Sequence, residues 1–172
     1  MSVRYRLRQG FRALGSWLRP VDDRVAEQYL DPALFALYLT MRRSERQHSL
    51  RILCDLRAAG HENPDLFVAA LLHDVGKTRT HFFLPEKVLV VLVKAMAPSL
   101  YQRWGSGPAQ GWPRPFAVSA QHPAWGAAMV ADAGGSALAV ELVSRHAEPP
   151  EHPPQTEADR LLLALQAVDD RN

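Results

Sequence analysis

Ala69-Ala70-Leu71-Leu72-His73-Asp74-Val75-Gly76-Lys77 is the stretch on which this sequence turns. An apolar helical run ends in an adjacent histidine and aspartate, followed by a glycine and a lysine. The run must bury itself, so His73 and Asp74 emerge where it stops, at the edge of a core. A neutral imidazole and a carboxylate in that place suit a divalent ion that accepts nitrogen and oxygen ligands. Gly76 is read as a turn residue with positive φ. Lys77 is then placed to meet an anion near the ion. The dipeptide alone decides little; the rest of the chain has to supply partners.

Outward from this segment, helical punctuation dominates. Asp31-Pro32 reads as N-cap and first helical residue of an apolar run over 33–41. A polar helical stretch runs from 42 to Gly60, a C-terminal glycine. Asn63-Pro64 starts the helix that carries the opening stretch, and Leu84-Pro85 opens one over 86–97. Pro98, Gly105, Gly107, Pro108, Gly111, Pro113 and Pro115 mark a long irregular connection, with Trp104 and Trp112 to pin it to the body. A helix beginning near Pro123 ends at Gly134-Gly135. Ser136 caps the next, over 137–147, and Thr156 opens the last, over 158–168. Residues 148–154 form a proline-rich loop. Strand-like alternation is scarce and no Asn-Gly hairpin signal occurs. The expectation is an all-α chain: one bundle of about seven helices over residues 21–172, with an extra N-terminal amphipathic helix over 1–20.

That N-terminal segment also explains the charge. Five of the chain's 20 basic residues, Arg4, Arg6, Arg8, Arg12 and Arg19, lie in residues 1–20, which hold no acid. The remainder carries 15 basic and 18 acidic residues, a balance of −3. The basic excess is therefore poor support for a domain that binds a nucleic-acid duplex. Leu7, Phe11, Leu14 and Leu18 form one helical stripe with arginines on the other faces. Such a helix either docks on the domain or lies on an anionic membrane surface as a peripheral contact. No apolar run spans a bilayer and no secretory h-region is visible, so a cytoplasmic location is expected. The single cysteine, Cys54, excludes a disulfide framework and is read as a small buried hydrophobe.

Seven histidines are the unusual count. They are either scattered surface and core residues or ligands. His48 lies on the helix before the opening stretch, His122 in Gln121-His122-Pro123, and His146 in Ser144-Arg145-His146, while Asp169 ends the last helix. Spacing alone cannot bring these segments together. In order and flanks, however, the sequence resembles the HD-domain superfamily of metal-dependent phosphohydrolases. The match runs His48, His73-Asp74, His122, His146, Asp169 over residues 34–172. It includes Leu71-Leu72-His73-Asp74-Val75-Gly76-Lys77, His122-Pro123 followed by Gly126-Ala127, and Ala167-Val168-Asp169-Asp170. The small stand-alone bacterial members look most similar.

The resemblance implies an all-helical HD bundle and residue roles. His48, His73, Asp74 and Asp169 would ligate a core metal. His122 and His146 would serve members with two metals, with Asp74 as bridge. The cofactor would be one or two divalent ions, Mn, Fe, Co, Zn or Mg, with nitrogen-rich ligation disfavouring a site for Mg alone. Asp74, Lys77 and Arg145 would carry the chemistry. Lys77 resembles the family's phosphate-contacting lysine. Arg145 stands where many relatives place a second histidine, and could supply a phosphate contact instead; the alternative for both cations is a solvated charge near a helix end. Asp170 competes with Asp169 as the last ligand, and Asp169 is preferred because it follows the apolar turn directly. The Gly-Tyr-Pro extension of cyclic di-GMP phosphodiesterases has no counterpart. The implied activity is hydrolysis of a nucleotide or other small phosphate ester by metal-activated water. The alternatives are a metal-binding nucleotide sensor or scaffold with little activity, and an iron-dependent oxygenase. His61, His81 and His152 are read as surface residues, with His81 also able to line a cleft.

Overall fold

Proline and cap chemistry set the helix boundaries in the computed structural model, which describes residues 21–81, 83–149 and 153–172. Asn63 Oδ1 accepts from the backbone N–H groups of Asp65 and Leu66 at 2.9 and 3.1 Å, and Pro64 fills a first-turn position that needs no N–H. Ser136 Oγ accepts from Ala139 N, and Thr156 Oγ1 from Asp159 N. Gly60 and Gly134, both at φ 85°, follow the helices they end.

The helices in chain order are α1 (Asp23–Glu27), α2 (Pro32–Leu39), α3 (Arg43–Ala58), α4 (Pro64–Leu72), α5 (Leu84–Met96), α6 (Pro98–Gly105), α7 (Arg114–Asp132), α8 (Ala137–Arg145) and α9 (Glu157–Asp169), with a 3-10 turn at Val75–Arg79 between α4 and α5. No strand occurs among the described residues. The chain is all-α, as read from the sequence, with two helices that the reading did not separate. One is the short α1. The other is α6, in the stretch expected to be irregular. Pro98 was read as a breaker but occupies the first helical turn. Likewise α7 begins at Arg114, not near Pro123, which lies inside it.

At nine residues, α4 is too short to persist alone, and burial holds it. Leu66, Phe67, Ala69, Ala70, Leu71 and Leu72 are all buried, packed among Ile52, Leu53 and Leu56 of α3, Leu142 and Val143 of α8, and Leu162, Leu165 and Val168 of α9. Each fully buried leucine is worth about 1.5–3 kcal/mol. A smaller cluster of Val90, Phe116 and Val118 joins α5 to α7. Trp104 packs on Phe116 at 4.9 Å and on Trp112 at 4.6 Å, so the tryptophans do pin the connection.

Two expectations are corrected. Cys54 is exposed, because its position on α3 faces away from α4. Gly76 does not have positive φ. Its role is space: a Cβ there would lie 2.0 Å from the His122 carbonyl oxygen and 2.7 Å from Gly126 N. The 3-10 turn thus lies backbone to backbone against α7. No helix among the described residues is long and apolar enough to cross a membrane. The expected helix over 1–20, Phe82 and His152 lie outside the described residues.

Candidate metal centre

Six elements end or pass at one point. His73 caps the C-terminus of buried α4, Asp74 precedes the 3-10 turn, His146 caps α8 and Asp169 is the last residue of α9. His48 faces them from α3 and His122 from α7. The six residues form two triads. In each, the ligand atoms lie within 4.8 Å of one another: His48, His73 and Asp169 in the first, Asp74, His122 and His146 in the second.

Hydrogen bonds fix which nitrogen faces inward in three of the four rings. His73 Nδ1 donates to Ala70 O at 3.0 Å, and His146 Nδ1 to Val143 O at 2.8 Å. His122 Nδ1 donates to Ser119 O at 3.0 Å and to Val118 O at 3.1 Å. A carbonyl can only accept, so in the neutral rings Nε2 carries the lone pair. The His122 interaction has a backbone cause. Pro123 has no N–H, so Ser119 O, four residues earlier, lacks its helical partner and takes the imidazole proton instead.

The inward nitrogens are short of donors. His73 Nε2 is buried without a hydrogen-bond partner. The Nε2 atoms of His122 and His146 face each other at 3.2 Å, and two lone pairs at that distance call for a cation between them. Burial lowers the pKa of His73, and it pushes the His146 imidazole down to about 3. Both rings are therefore neutral and ready as donors at physiological pH. Burial alone would raise the Asp74 carboxyl, but the Lys77 ammonium beside it holds it well below the usual carboxylate range. For Asp169, burial is likewise outweighed by the hydrogen bond from His48 Nε2, at 2.8 Å.

Asp74 lies between the triads. Its Oδ2 is 3.7 Å from His73 Nε2, while Oδ1 is 3.4 Å from His122 Nε2 and 3.8 Å from His146 Nε2. Two imidazole nitrogens and a carboxylate oxygen per triad match the needs of a borderline divalent ion. The grouping places Asp74 with His122 and His146, where the family resemblance put it with the first set; its second oxygen still faces His73. Asp169 is the aspartate in the cluster, and Asp170 lies beside it on the cavity wall.

The cluster opens into a cavity of about 420 Å³. Lys77 lines it with its Nζ 2.5 Å from Asp74 Oδ1. Arg145 does not line it. Its guanidinium is bound to Asp159 Oδ1 at 2.8 Å and Glu141 Oε1 at 2.7 Å, and lies near Glu148. The structure thus places Arg145 as a strut between α8 and α9, outside the lining of the cavity where the phosphate contact was expected. His81, expected as surface or cleft, is exposed and approaches Arg42 at 3.3 Å.

Sequence reading missed Lys94, Ser119, Glu148 and Gln166 on the cavity wall. Ser119 and Gln166 each precede a candidate ligand by three residues on the same helix, a spacing that places them on one face. Gln166 Nε2 donates to His146 O and Glu148 O, at 3.0 and 2.8 Å, and so steadies the backbone at His146. Nothing in the sequence singles out Lys94.

Comparison with family models finds the HD domain over residues 46–170, well over half of the chain. No curated protein and no solved structure matches.

Proposed function

The chain belongs to the HD-domain family, and from that membership we propose that it is a metal-dependent phosphohydrolase acting on a nucleotide or another small phosphate ester. The observation that carries this reading is the pair of His/Asp triads joined at Asp74 and opening into a cavity of about 420 Å³, within the range of small-molecule sites. His48, His73 and Asp169 would hold one divalent ion, and Asp74, His122 and His146 a second. Divalent ions held there would acidify bound water toward neutrality and neutralise phosphoryl oxygens. The chain's own part is to keep His73 and His146 neutral by burial, to hold Asp74 ionised beside Lys77, and to orient three imidazoles through backbone carbonyls.

Elemental analysis of freshly purified protein should find transition metal, with up to two ions per chain in this reading. The metal-loaded protein should release phosphate from a panel of nucleotides and phosphate esters, and Asp74→Ala should abolish release. Full activity in a metal-free Asp74→Ala protein would overturn the proposal. Tight nucleotide binding without turnover across the panel would favour the sensor.

A further inference from the structure

The cavity wall is lopsided in charge. Its lining acids are Asp74, Glu148, Asp169 and Asp170, the last three from the α8–α9 connection and the end of α9. Its lining cations are Lys77 and Lys94. The Lys77 charge is committed to Asp74. Arg145 is committed to Asp159 and Glu141, and Arg79 lies over the Trp125 ring at 5.4 Å. Lys94, on α5, has no ion pair among the described residues. Its Nζ lies 5.5 Å from the centre of the Tyr101 ring, a cation–π contact that places an ammonium without neutralising it. The same tyrosine reaches Ser119: the two hydroxyl oxygens are 3.1 Å apart. Tyr101 itself packs against the cluster of Val90, Phe116 and Val118. One anchored aromatic ring thus positions an unneutralised ammonium on its face and a hydroxyl at its edge. Ser119 is also one turn from His122 on α7, beside the second triad.

We propose that Lys94 and Ser119 form the anion-receiving wall of this cavity, taking the non-bridging phosphoryl oxygens of the substrate on the side facing α5 and α7. The inference rests on the phosphate-ester reading of the site and adds the side chains that would select for an anionic ligand. It moves that role from Arg145, which is already neutralised, to a lysine from a different helix. An ammonium contact to a phosphoryl oxygen is charge-assisted, stronger than a neutral hydrogen bond.

The test is binding of inorganic phosphate to the metal-loaded full chain by calorimetry at low salt. Lys94→Ala should weaken binding about tenfold or more, with metal content and thermal midpoint unchanged because Lys94 is exposed. Lys94→Arg should restore most of the affinity, and Ser119→Ala should cause a smaller loss. Wild-type affinity in Lys94→Ala, or no phosphate binding by the metal-loaded wild type, overturns the inference. Phosphate binding that depends on Lys94 without hydrolysis of any ester supports this wall while sinking the proposed activity. Ester hydrolysis with an unchanged KM in Lys94→Ala does the reverse.

Discussion

Asp74 touches both triads, and its two oxygens face different ones. Asp74→Asn keeps the shape and removes the charge, so it should lower metal affinity at both sites together, by about tenfold or more at each. Titration with a competing chelator reads this directly; loss confined to one ion would argue against a bridge. Arg145 needs a different experiment. Hydrogen bonds from its guanidinium, and after it from Thr156, hold the Asp159 carboxyl well below the ordinary range. A carboxyl depressed in the folded state stabilises the fold above its unfolded value of about 3.9, and that stability is lost as pH falls through the folded value. Arg145→Ala should therefore unfold at lower denaturant than wild type at pH 7, and the gap should narrow as the pH falls below about 4. Chemical denaturation of the metal-free proteins at several pH values measures it; a gap constant with pH would refute the pairing. Chain order explains why one role was legible and the other was not. The histidines were marked by the order and flanks they share with a known family, not by any one of them alone. The Arg145 partner Asp159 lies beyond a proline-rich loop, and no local spacing connects the two.

The 3-10 turn and α7 approach each other so closely because each has a glycine at the contact. A Cβ at Gly76 would strike the His122 carbonyl, and one at Gly126 would lie 3.2 Å from Gly76 N. Gly76→Ala must push the turn from α7, which separates Asp74 from His122. We expect a loss of about 3 kcal/mol or more in stability, together with weakened metal binding, seen by thermal denaturation with and without metal. A melt like the wild type would show that the turn can yield. Pro123 acts within α7. Pro123→Ala returns an N–H that can bond Ser119 O and compete with His122 Nδ1. Helix stability should hold or rise while metal affinity at the second triad falls about tenfold; unchanged affinity would mean that Val118 O alone suffices to orient the ring. Most elements were legible in the sequence because caps and terminal glycines are local: Asn63, Ser136, Thr156, Gly60 and Gly134 all act where they were read. Pro98 and Pro123 were misread because a proline marks either a first turn or an interior, and only tertiary context separates them. The need for Gly76 was legible, but its cause was not, since the atom it makes room for belongs to a helix 46 positions along the chain.

Charge is distributed unevenly over the whole chain, and the site depends on it. Residues 21–172 carry a balance of −3, and Glu148 and Asp170 line the cavity beside the candidate ligands. An anionic substrate is therefore not drawn in by the net field of this body; bound cations and Lys94 would have to supply local attraction. In the sequence, the five arginines of residues 1–20 are the opposite pole of charge, in a stretch whose Leu7, Phe11, Leu14 and Leu18 recur at helical spacing. We propose that this pole contacts an anionic membrane surface rather than the substrate. Each arginine near such a surface contributes about 1 kcal/mol, falling off within a Debye length of about 10 Å at 0.1 M salt. The full chain should sediment with phosphatidylserine-containing vesicles at low salt, dissociate as salt rises, and ignore vesicles of zwitterionic lipid alone. Replacing Arg4, Arg6, Arg8, Arg12 and Arg19 together by glutamine should abolish the association while leaving metal content unchanged, because arginine is not a ligand for a divalent ion. Equal binding to zwitterionic vesicles, or binding that survives the five substitutions, would overturn the electrostatic account.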